Sequence, residues 1–250
     1  MNLRYITCSD PRAHLAVVDV MHFLKKYPIV ELGVQASPGA MSFGRPRNIW
    51  FDLIAHSASV SRIQVNVAVH VNYQWCDDMC SGKIPGEIQN WMRLRNISDN
   101  KPSIRRWQLN IGDRTERFDA NAIAKLIRTH PENEFIFPYN DGVKDKIDAL
   151  YKTGAKFSLL YDSSYGYGIS PDKWNGPVYP DIPMGYAGGL SPENVADNLN
   201  KISKIVPKNY TTWIDAEGRL MKPGTREFDL ERARDYIQNA LAWQHKQNKR

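Results

Sequence analysis

Six residues with reactive or polar side chains stand at or near the ends of predicted strands. They are Cys8, Gln35, His70, Asn110, Asp162 and Asp215. A thiol and two carboxyls brought to one place would suit a site that moves protons to and from a small polar molecule. The alternative for any single residue is that it ends a strand where the chain meets water. The convergence of the set, rather than any one member, favours a functional site.

The elements that carry these residues alternate along the sequence. Short apolar runs typical of strands occupy residues 3–8, 29–35, 63–71, 107–111, 134–139, 156–161, 184–187 and 210–214. Most are followed by a segment with apolar residues at helical spacing. Eight strand–helix units in 250 residues match the (β/α)8 barrel in number and length. A doubly wound open sheet is the main alternative, but it usually has fewer strands, and no G-x-G-x-x-G follows the first strand.

The same pattern predicts one domain, because no linker divides residues 1–250. Two features depart from regular alternation. One is a long polar connection over about 73–105, and the other is a basic C-terminal tail over about 244–250. Both are predicted as additions to a single barrel.

Alternation within each strand predicts which side chains face the barrel interior. In the third strand, apolar residues of one parity are expected to pack under helices, and polar residues of the other parity to point inward. The residues predicted to point inward are Arg4, Ile6, Cys8, Glu31, Gly33, Gln35, Gln64, Asn66, Ala68, His70, Gln108, Asn110, Asp162, Thr211, Trp213 and Asp215. Active sites of this fold lie at the C-terminal ends of the strands, where several of these residues stand.

Glycine-rich turns give a second signal. Gly188 and Gly189 follow the seventh predicted strand, just before a helix, and Gly218 follows the eighth. Bare backbone N–H groups at a helix N-terminus bind anions, and the loops after strands seven and eight form the usual phosphate site of a (β/α)8 barrel. These glycines therefore predict a phosphate-binding site, although turns need glycine for conformational reasons as well.

Composition excludes several other classes of protein. The chain has 33 basic and 27 acidic residues, a net charge of +6, which permits nucleic acid or an anionic substrate as a partner. The charge is spread along the chain and the seven tryptophans are scattered, so nucleic-acid binding is not expected. An anionic small molecule is the expected partner.

The sequence also predicts where the protein works. No apolar run approaches the roughly 18 residues of a membrane span, and the N-terminus lacks the apolar run of a signal peptide. Three cysteines, an odd number, fit a reducing compartment, so a cytoplasmic location is expected. Cys76-x3-Cys80 lacks a second Cys or His pair at zinc spacing. We therefore expect neither a metal nor another cofactor.

Several short segments of the sequence match motifs of one protein family. Residues 187–195 read A-G-G-L-S-P-E-N-V, and further matches lie at 6–10 (I-T-C-S-D), 42–47 (S-F-G-R-P-R), 108–113 (Q-L-N-I-G-D), 159–163 (L-L-Y-D-S) and 214–218 (I-D-A-E-G). Together these segments resemble phosphoribosylanthranilate isomerase, the (β/α)8 barrel of tryptophan biosynthesis, over nearly the whole chain. The A-G-G-L-x-P-E-N-V segment is the most specific match.

The resemblance implies an Amadori rearrangement of an N-glycosidic sugar phosphate from an aldose to a ketose. It implies that Asp162 is the general acid that opens the sugar ring and that Cys8 is the general base that removes the C2 proton. Arg47, with Arg45 as a competitor, would either lower the pKa of the Cys8 thiol or hold a substrate carboxylate, and Asp215 would accept from a substrate amine or hydroxyl. His70 and Asn110 complete the expected substrate-binding set.

The chain departs from the family at several points. Ala216-Glu217 replaces two serines before Gly218, and Asn110 replaces a histidine. The loop after the sixth strand differs as well, and so does the long connection. Two alternatives therefore stay open: a barrel isomerase or lyase that acts on a different sugar or sugar phosphate, with Glu217 at a neutral hydroxyl, and a barrel that binds a partner without catalysis.

Overall fold

The computed structural model describes residues 1–112, 115–162 and 168–248. Tyr165 and Tyr167, in the loop that departs from the family, lie outside these ranges. Parallel strands close into a barrel in chain order, with the eighth paired to the first. They are β1 (Asn2–Ser9), β2 (Val30–Ala36), β3 (Asn66–Val71), β4 (Arg106–Leu109), β5 (Glu134–Tyr139), β6 (Ser158–Asp162), β7 (Met184–Ala187) and β8 (Thr211–Ala216). The predicted (β/α)8 fold is confirmed.

Helices surround the barrel. They are α1 (Val17–Lys26), α2 (Pro38–Met41), α3 (Pro46–Ser59), α4 (Gln74–Cys80), α5 (Gly86–Arg93), α6 (Ala120–Thr129), α7 (Lys144–Tyr151), α8 (Val195–Ser203) and α9 (Leu230–Asn248), with 3-10 turns at Asp141–Val143 and Gly218–Leu220. Local sequence explains several starts: Pro46 opens α3, and the Asp119 side chain accepts from two backbone N–H groups of α6.

The long connection after β3 contains α4 and α5, followed by an isolated bridge between Arg95 and Pro102. Trp75 of α4 and Trp91 of α5 pack edge to face, with ring centroids 6.3 Å apart. Trp91 packs in the same way on Phe51 of α3. The connection is thus joined to the barrel's helical layer by aromatic contacts, each of which contributes about 0.5–1.5 kcal/mol beyond area burial.

The main apolar core lies between the strands and the helices. A smaller apolar cluster, with Ile136, Leu160, Ala187 and Trp213, lies apart from it. These four residues stand on the inward parity of β5 to β8, so the cluster fills one side of the barrel interior. The opposite side, towards β1 to β4, is polar. Interior position is therefore set by strand parity, as expected for a closed barrel.

Strand β3 follows the predicted parity. Val67, Val69 and Val71 are buried in the core under the helices, and His70 points inward. Its neighbour Gly33 on β2 also points inward, because a Cβ added there would lie 3.0 Å from the His70 ring. The polar-in, apolar-out assignment of these two strands is confirmed.

Strand β1 has the opposite orientation to the one predicted. Cys8 pairs with Leu32 and Ala216, and all three are buried in the apolar layer under the helices. The inward positions belong to Thr7, which pairs with Glu31 and Asp215, and to Ser9. The prediction that Ile6 and Cys8 point inward is therefore wrong.

The physical reason is twofold. The pairing of β1 with β8 shifts register between Leu3 and Tyr5, so a β-bulge at Arg4 interrupts the simple alternation. In addition, Ile6 and Cys8 form the more apolar parity of β1, and a strand buries that parity under the helices, as β3 does.

The floor of the barrel is an ion-pair network around Arg106 of β4. Its guanidinium lies 2.5 Å from Glu31 and 3.2 Å from Glu134, and the residue is 2% exposed. The rings of Tyr5 and Trp213 lie 4.7 and 4.4 Å from the guanidinium carbon. One buried cation thus links β2 and β5 and packs between two aromatic rings.

We expect Arg106→Ala to destabilise the fold strongly, because it leaves the buried carboxyl of Glu31 without its cation, while Glu134 keeps its ion pair with Arg4. Removing one partner of a buried pair costs about 3–5 kcal/mol. Urea unfolding at pH 7 measures this loss. Arg105→Ala is the matched control: Arg105 pairs with the half-exposed Asp99, so its loss should stay below about 1 kcal/mol. Equal effects of the two substitutions would contradict the network's structural role.

Within the described ranges, no helix is long and apolar enough to cross a membrane. The one-domain prediction, with its added connection and tail, stays a prediction.

Candidate functional site

A cavity of about 730 Å³ opens at the C-terminal ends of the strands. This volume lies within the range of small-molecule sites. The predicted site residues that line it are Arg47, His70, Asn110, Asp162, Asp215, Gly188, Gly189 and Gly218. The structure thus brings together most of the residues singled out from the sequence. Of the two candidate arginines, Arg47 lines the cavity and Arg45 is exposed at the start of α3.

Cys8 lies behind this cavity wall, on the helix side of β1. Burial, and after it the negative charge of Asp215, raises the pKa of the Cys8 thiol. A general base must be within reach of the substrate and must be deprotonated. Cys8 meets neither condition, so the sequence-based pairing of Cys8 with Asp162 is not formed in the cavity.

Asp215 stands where the inward face of β8 ends. Ser9 donates a hydrogen bond of 2.6 Å to one carboxyl oxygen, and Nε2 of His70 lies 4.0 Å from the other. Burial raises the pKa of Asp215 to about 8, helped by the negative charges of Glu217, Glu31 and Asp162, while the Ser9 bond lowers it. At neutral pH, Asp215 is therefore mostly protonated and able to donate a proton.

His70, which lies beside Asp215, is uncharged. Burial, and after it the positive charge of Arg106, lowers the pKa of His70 to about 3. A neutral imidazole next to a protonated carboxyl leaves no net charge on the pair. His70 is 2% exposed, and a Cβ added at Gly33 would lie 2.2 Å from Ser9 Oγ and 3.0 Å from the His70 ring. The group Ser9, His70 and Asp215 is therefore tightly packed.

Asp162 lies level with Asp215 across one intervening strand. In the sheet register Asp162 pairs with Ala187, and Ala187 pairs with Asp215. Two strand spacings of about 4.8 Å separate the two carboxyl-bearing backbones. The small side chain of Ala187 lies between them, so a small molecule can contact both carboxyls at once.

Arg47 meets a carboxylate of the protein itself. Its guanidinium lies 2.5 Å from Asp10, whose other oxygen receives two hydrogen bonds from Arg12 at 2.7 and 3.0 Å. Asp10 is buried and has a positive φ of 61°, a left-handed conformation that Asp tolerates better than most residues. Arg47, which was predicted to bind a substrate carboxylate, is thus already paired with a carboxylate of the protein.

A chain of carboxamides crosses the cavity mouth from β4 to β8. Gln108 donates to Asn110 at 2.8 Å, Asn110 to Asn72 at 2.9 Å, Asn72 to Gln35 at 2.7 Å, and Gln35 to Glu217 at 2.9 Å. Each amide N–H group donates to the oxygen of the next side chain, and the last acceptor is a carboxyl oxygen of Glu217. We call these four residues, Gln35, Asn72, Gln108 and Asn110, the amide wall.

Glu217 ends this hydrogen-bonded chain. The residue as a whole is exposed, but its carboxyl lies against the cavity rim. Burial of the carboxyl, and after it the charge of Asp10, raises its pKa to about 7, and the Gln35 hydrogen bond lowers it. The carboxyl is therefore held towards β2 by Gln35.

The two glycines after β7 adopt conformations that few other residues reach. Gly188 has φ 123° and Gly189 has φ 58°. A Cβ on Gly189 would lie 2.6 Å from the Ser170 nitrogen and 2.7 Å from the Gly168 oxygen, so the chain after β6 packs directly on this turn. The Asn194 side chain donates a hydrogen bond of 2.9 Å to the Gly189 carbonyl, which holds the turn in place.

Arg219 is a cavity residue that sequence reasoning missed. It lines the cavity next to Gly218, in the 3-10 turn after β8, and its side chain has no ion pair among the described residues. Other missed residues are Ser9, Asp10, Asn72, Tyr73 and Asn140. The signal for Ser9 was available, because it shares the polar parity of β1 with Thr7. The signal for Arg219 was its position beside a predicted phosphate turn.

The described residues contain no cluster of three or more His, Cys, Asp or Glu side chains arranged to hold a metal ion. The acid and amide groups of the cavity are instead hydrogen-bonded or ion-paired with one another. The chemistry that this arrangement can perform directly is proton transfer and hydrogen bonding to a polar molecule.

Fold and cavity place the chain among (β/α)8-barrel proteins with a polar site at the C-terminal face. Comparison with solved structures finds a match to N-(5'-phosphoribosyl)anthranilate isomerase from Pyrococcus furiosus, with a TM-score of 0.55 and 13% sequence identity. The match covers 95% of this chain and 98% of that one. No family model and no curated protein matches the sequence. The likeness therefore shows a shared fold with that isomerase.

Proposed function

We propose that this protein is an acid–base isomerase that converts an aldose derivative to a ketose, with a phosphorylated N-glycosidic sugar as substrate. The observation that carries the proposal is the buried Asp215, whose pKa of about 8 keeps it protonated at neutral pH, level with Asp162 in one cavity. Two carboxyls in different environments are a recurring arrangement for an acid and a base.

Asp215 gives its proton to the ring oxygen of the sugar, and the ring opens to an iminium ion. Asp162 then removes the proton from C2, which yields a neutral enaminol. The enaminol gains a proton at C1 and loses the C2 hydroxyl proton, which gives the aminoketose. Return of the proton from Asp162 to Asp215 restores the starting state. The acid role that the family resemblance implied for Asp162 thus passes to Asp215.

The phosphate group is proposed to bind between the turns after β7 and β8. Gly188, Gly189 and Gly218 offer backbone N–H groups without side chains, and Arg219 supplies a positive charge next to Gly218. A bound dianion there lies on the side of the cavity opposite the amide wall. Gln35 holds the Glu217 carboxyl towards β2, which limits the like-charge repulsion between that carboxyl and a phosphate bound here.

Cys8 has no part in this mechanism, although the family resemblance gave it the role of base. We expect Cys8→Ala to keep kcat within about threefold of wild type, because its side chain lies on the helix side of β1, away from the reacting atoms. Asp162→Asn is expected to lower kcat by about 100-fold or more, since proton transfer by a positioned base contributes 10²–10⁴-fold.

The test is an isomerisation assay on N-phenyl-ribosylamine 5-phosphate, followed by the appearance of the aminoketose. Arg219→Gln should raise KM about tenfold and leave kcat little changed, as expected for a uniform binding contact. Lys222→Gln is a matched charge control on the same side of the barrel, because Lys222 pairs with exposed Glu227. A fully active Asp162→Asn variant, or a dependence of kcat on the Cys8 thiol, would overturn the proposed mechanism.

A further inference from the structure

The cavity is divided by charge. One side, at the ends of β7 and β8, has the glycine turns and Arg219. The other side, at the ends of β2 to β4, is the amide wall. The reacting carboxyls lie between the two. A substrate whose phosphate occupies the first side therefore presents its other end to carboxamide groups.

The cations near the amide wall are already paired with a carboxylate of the protein. Arg47 and Arg12 both contact Asp10, and the Glu217 carboxyl lies close enough to feel their charges. His70, the remaining basic group at this wall, stays uncharged at neutral pH. A negatively charged substrate group at the amide wall would therefore have to compete with Asp10 for these arginines.

The amide wall can still make hydrogen bonds. Among the described residues, Gln35, Gln108 and Asn110 each use one of two side-chain N–H groups, and each carbonyl oxygen in the wall that accepts one bond has a second lone pair. Asn72 is different, because it donates both to Gln35 and to the His70 carbonyl. The wall therefore offers donors and acceptors together, which suits hydroxyl and carboxamide groups.

Resting on the proposed function, we infer that the group attached to the sugar nitrogen is uncharged and carries hydroxyl or carboxamide groups, and that the amide wall selects it over a carboxylate. Desolvating a carboxylate without a counter-charge is costly, whereas a neutral amide exchanges water for the wall's hydrogen bonds. The cavity of about 730 Å³ leaves room for such a group beyond a pentose phosphate.

The test compares three aminoketose 5-phosphates that differ only in the group on nitrogen: carbamoylmethyl, phenyl and 2-carboxyphenyl. Binding to the full chain is measured by calorimetry, so turnover is not required. We expect the carbamoylmethyl compound to bind at least about tenfold more tightly than the 2-carboxyphenyl compound. Asn110→Leu, which keeps the shape but removes the amide, should abolish that preference, and Gln238→Leu on the exposed face of α9 should preserve it.

The outcomes separate this inference from the proposed function. The expected preference without any isomerisation would support the amide wall's role and contradict the proposed reaction. Isomerisation with equal affinity for the three compounds, or tighter binding of the 2-carboxyphenyl compound, would overturn the inference while the reaction stands. Failure of all three to bind would overturn both. Asn110→Leu is checked by its thermal unfolding midpoint, and Asn110→Asp provides a second variant that should weaken carboxylate binding further.

Discussion

Asp215→Asn should lose about 10³-fold in kcat while the folded protein becomes more stable at pH 8. The loss follows because the substitution removes the proposed proton donor, and general acid catalysis contributes about 10²–10⁴-fold. The amide oxygen can still accept the Ser9 hydrogen bond, so local geometry is kept. Loss of activity together with gained stability distinguishes a functional carboxyl from one that only supports the fold.

The sign of the stability change follows from the raised pKa. An unfolded Asp titrates near 3.8 and Asp215 in the folded protein near 8, so between these values the folded state binds a proton that the unfolded state releases. The stability from this carboxyl is complete below about pH 4 and is lost progressively as pH rises to about 8. Asparagine does not titrate, so the variant should gain on the order of 5 kcal/mol over wild type at pH 8, since about four pKa units are each worth about 1.4 kcal/mol.

Two measurements check this prediction. Urea unfolding of both proteins at pH 4 and pH 8 should show a variant advantage only at the higher pH. The kcat/KM of wild type should fall above about pH 8, as the acid loses its proton. Asp235→Asn, an exposed position on α9, controls for general charge effects. If the stability difference is independent of pH, the carboxyl of Asp215 is not the buried acid described above.

The barrel was predictable because its signals are local. Strand–helix alternation and glycine turns act over a few positions each, and the fold follows from their number. The orientation of β1 was predicted wrongly, because the alternation was counted from Arg4 and so placed Ile6 and Cys8 on the inward face. The bulge at Arg4 interrupts that alternation, and Thr7 and Ser9 form the more polar face of the strand. The family resemblance, which implied a catalytic role for Cys8, agreed with the wrong orientation.

The site could be predicted only in part, for a related reason. Single strand-end residues such as His70, Asp162 and Asp215 are visible because the fold sends them to one rim. The partners that set their properties come from distant parts of the chain: Ser9 contacts Asp215 across 206 positions. The amide wall likewise joins Gln35 to Glu217 across 182 positions. Sequence spacing cannot reveal these pairings, which lower the pKa values of Asp215 and Glu217 against the larger effect of burial.

Gly33→Ala should disrupt the group around Asp215 more than any other single methyl addition at the cavity. The new Cβ would lie 2.2 Å from Ser9 Oγ and 3.0 Å from the His70 ring. His70 is too buried to move freely, so Ser9 must rotate and release Asp215. Overpacking of this kind costs about 1–3 kcal/mol. Because the Ser9 bond lowers the pKa of Asp215, its loss should move the alkaline limb of the rate profile to higher pH.

A double-mutant cycle tests the proposed cause. Ser9→Ala alone should shift the pH profile in the same direction without the overpacking loss, and Gly33→Ala combined with Ser9→Ala should be more stable than Gly33→Ala alone, since the closest clash is gone. Gly86→Ala is the matched control, because a Cβ at Gly86 meets nothing within 4 Å. If Gly33→Ala leaves stability and the pH profile unchanged, the close contact among Gly33, Ser9 and His70 does not hold Asp215 in place, and the acid must be sought at Asp162.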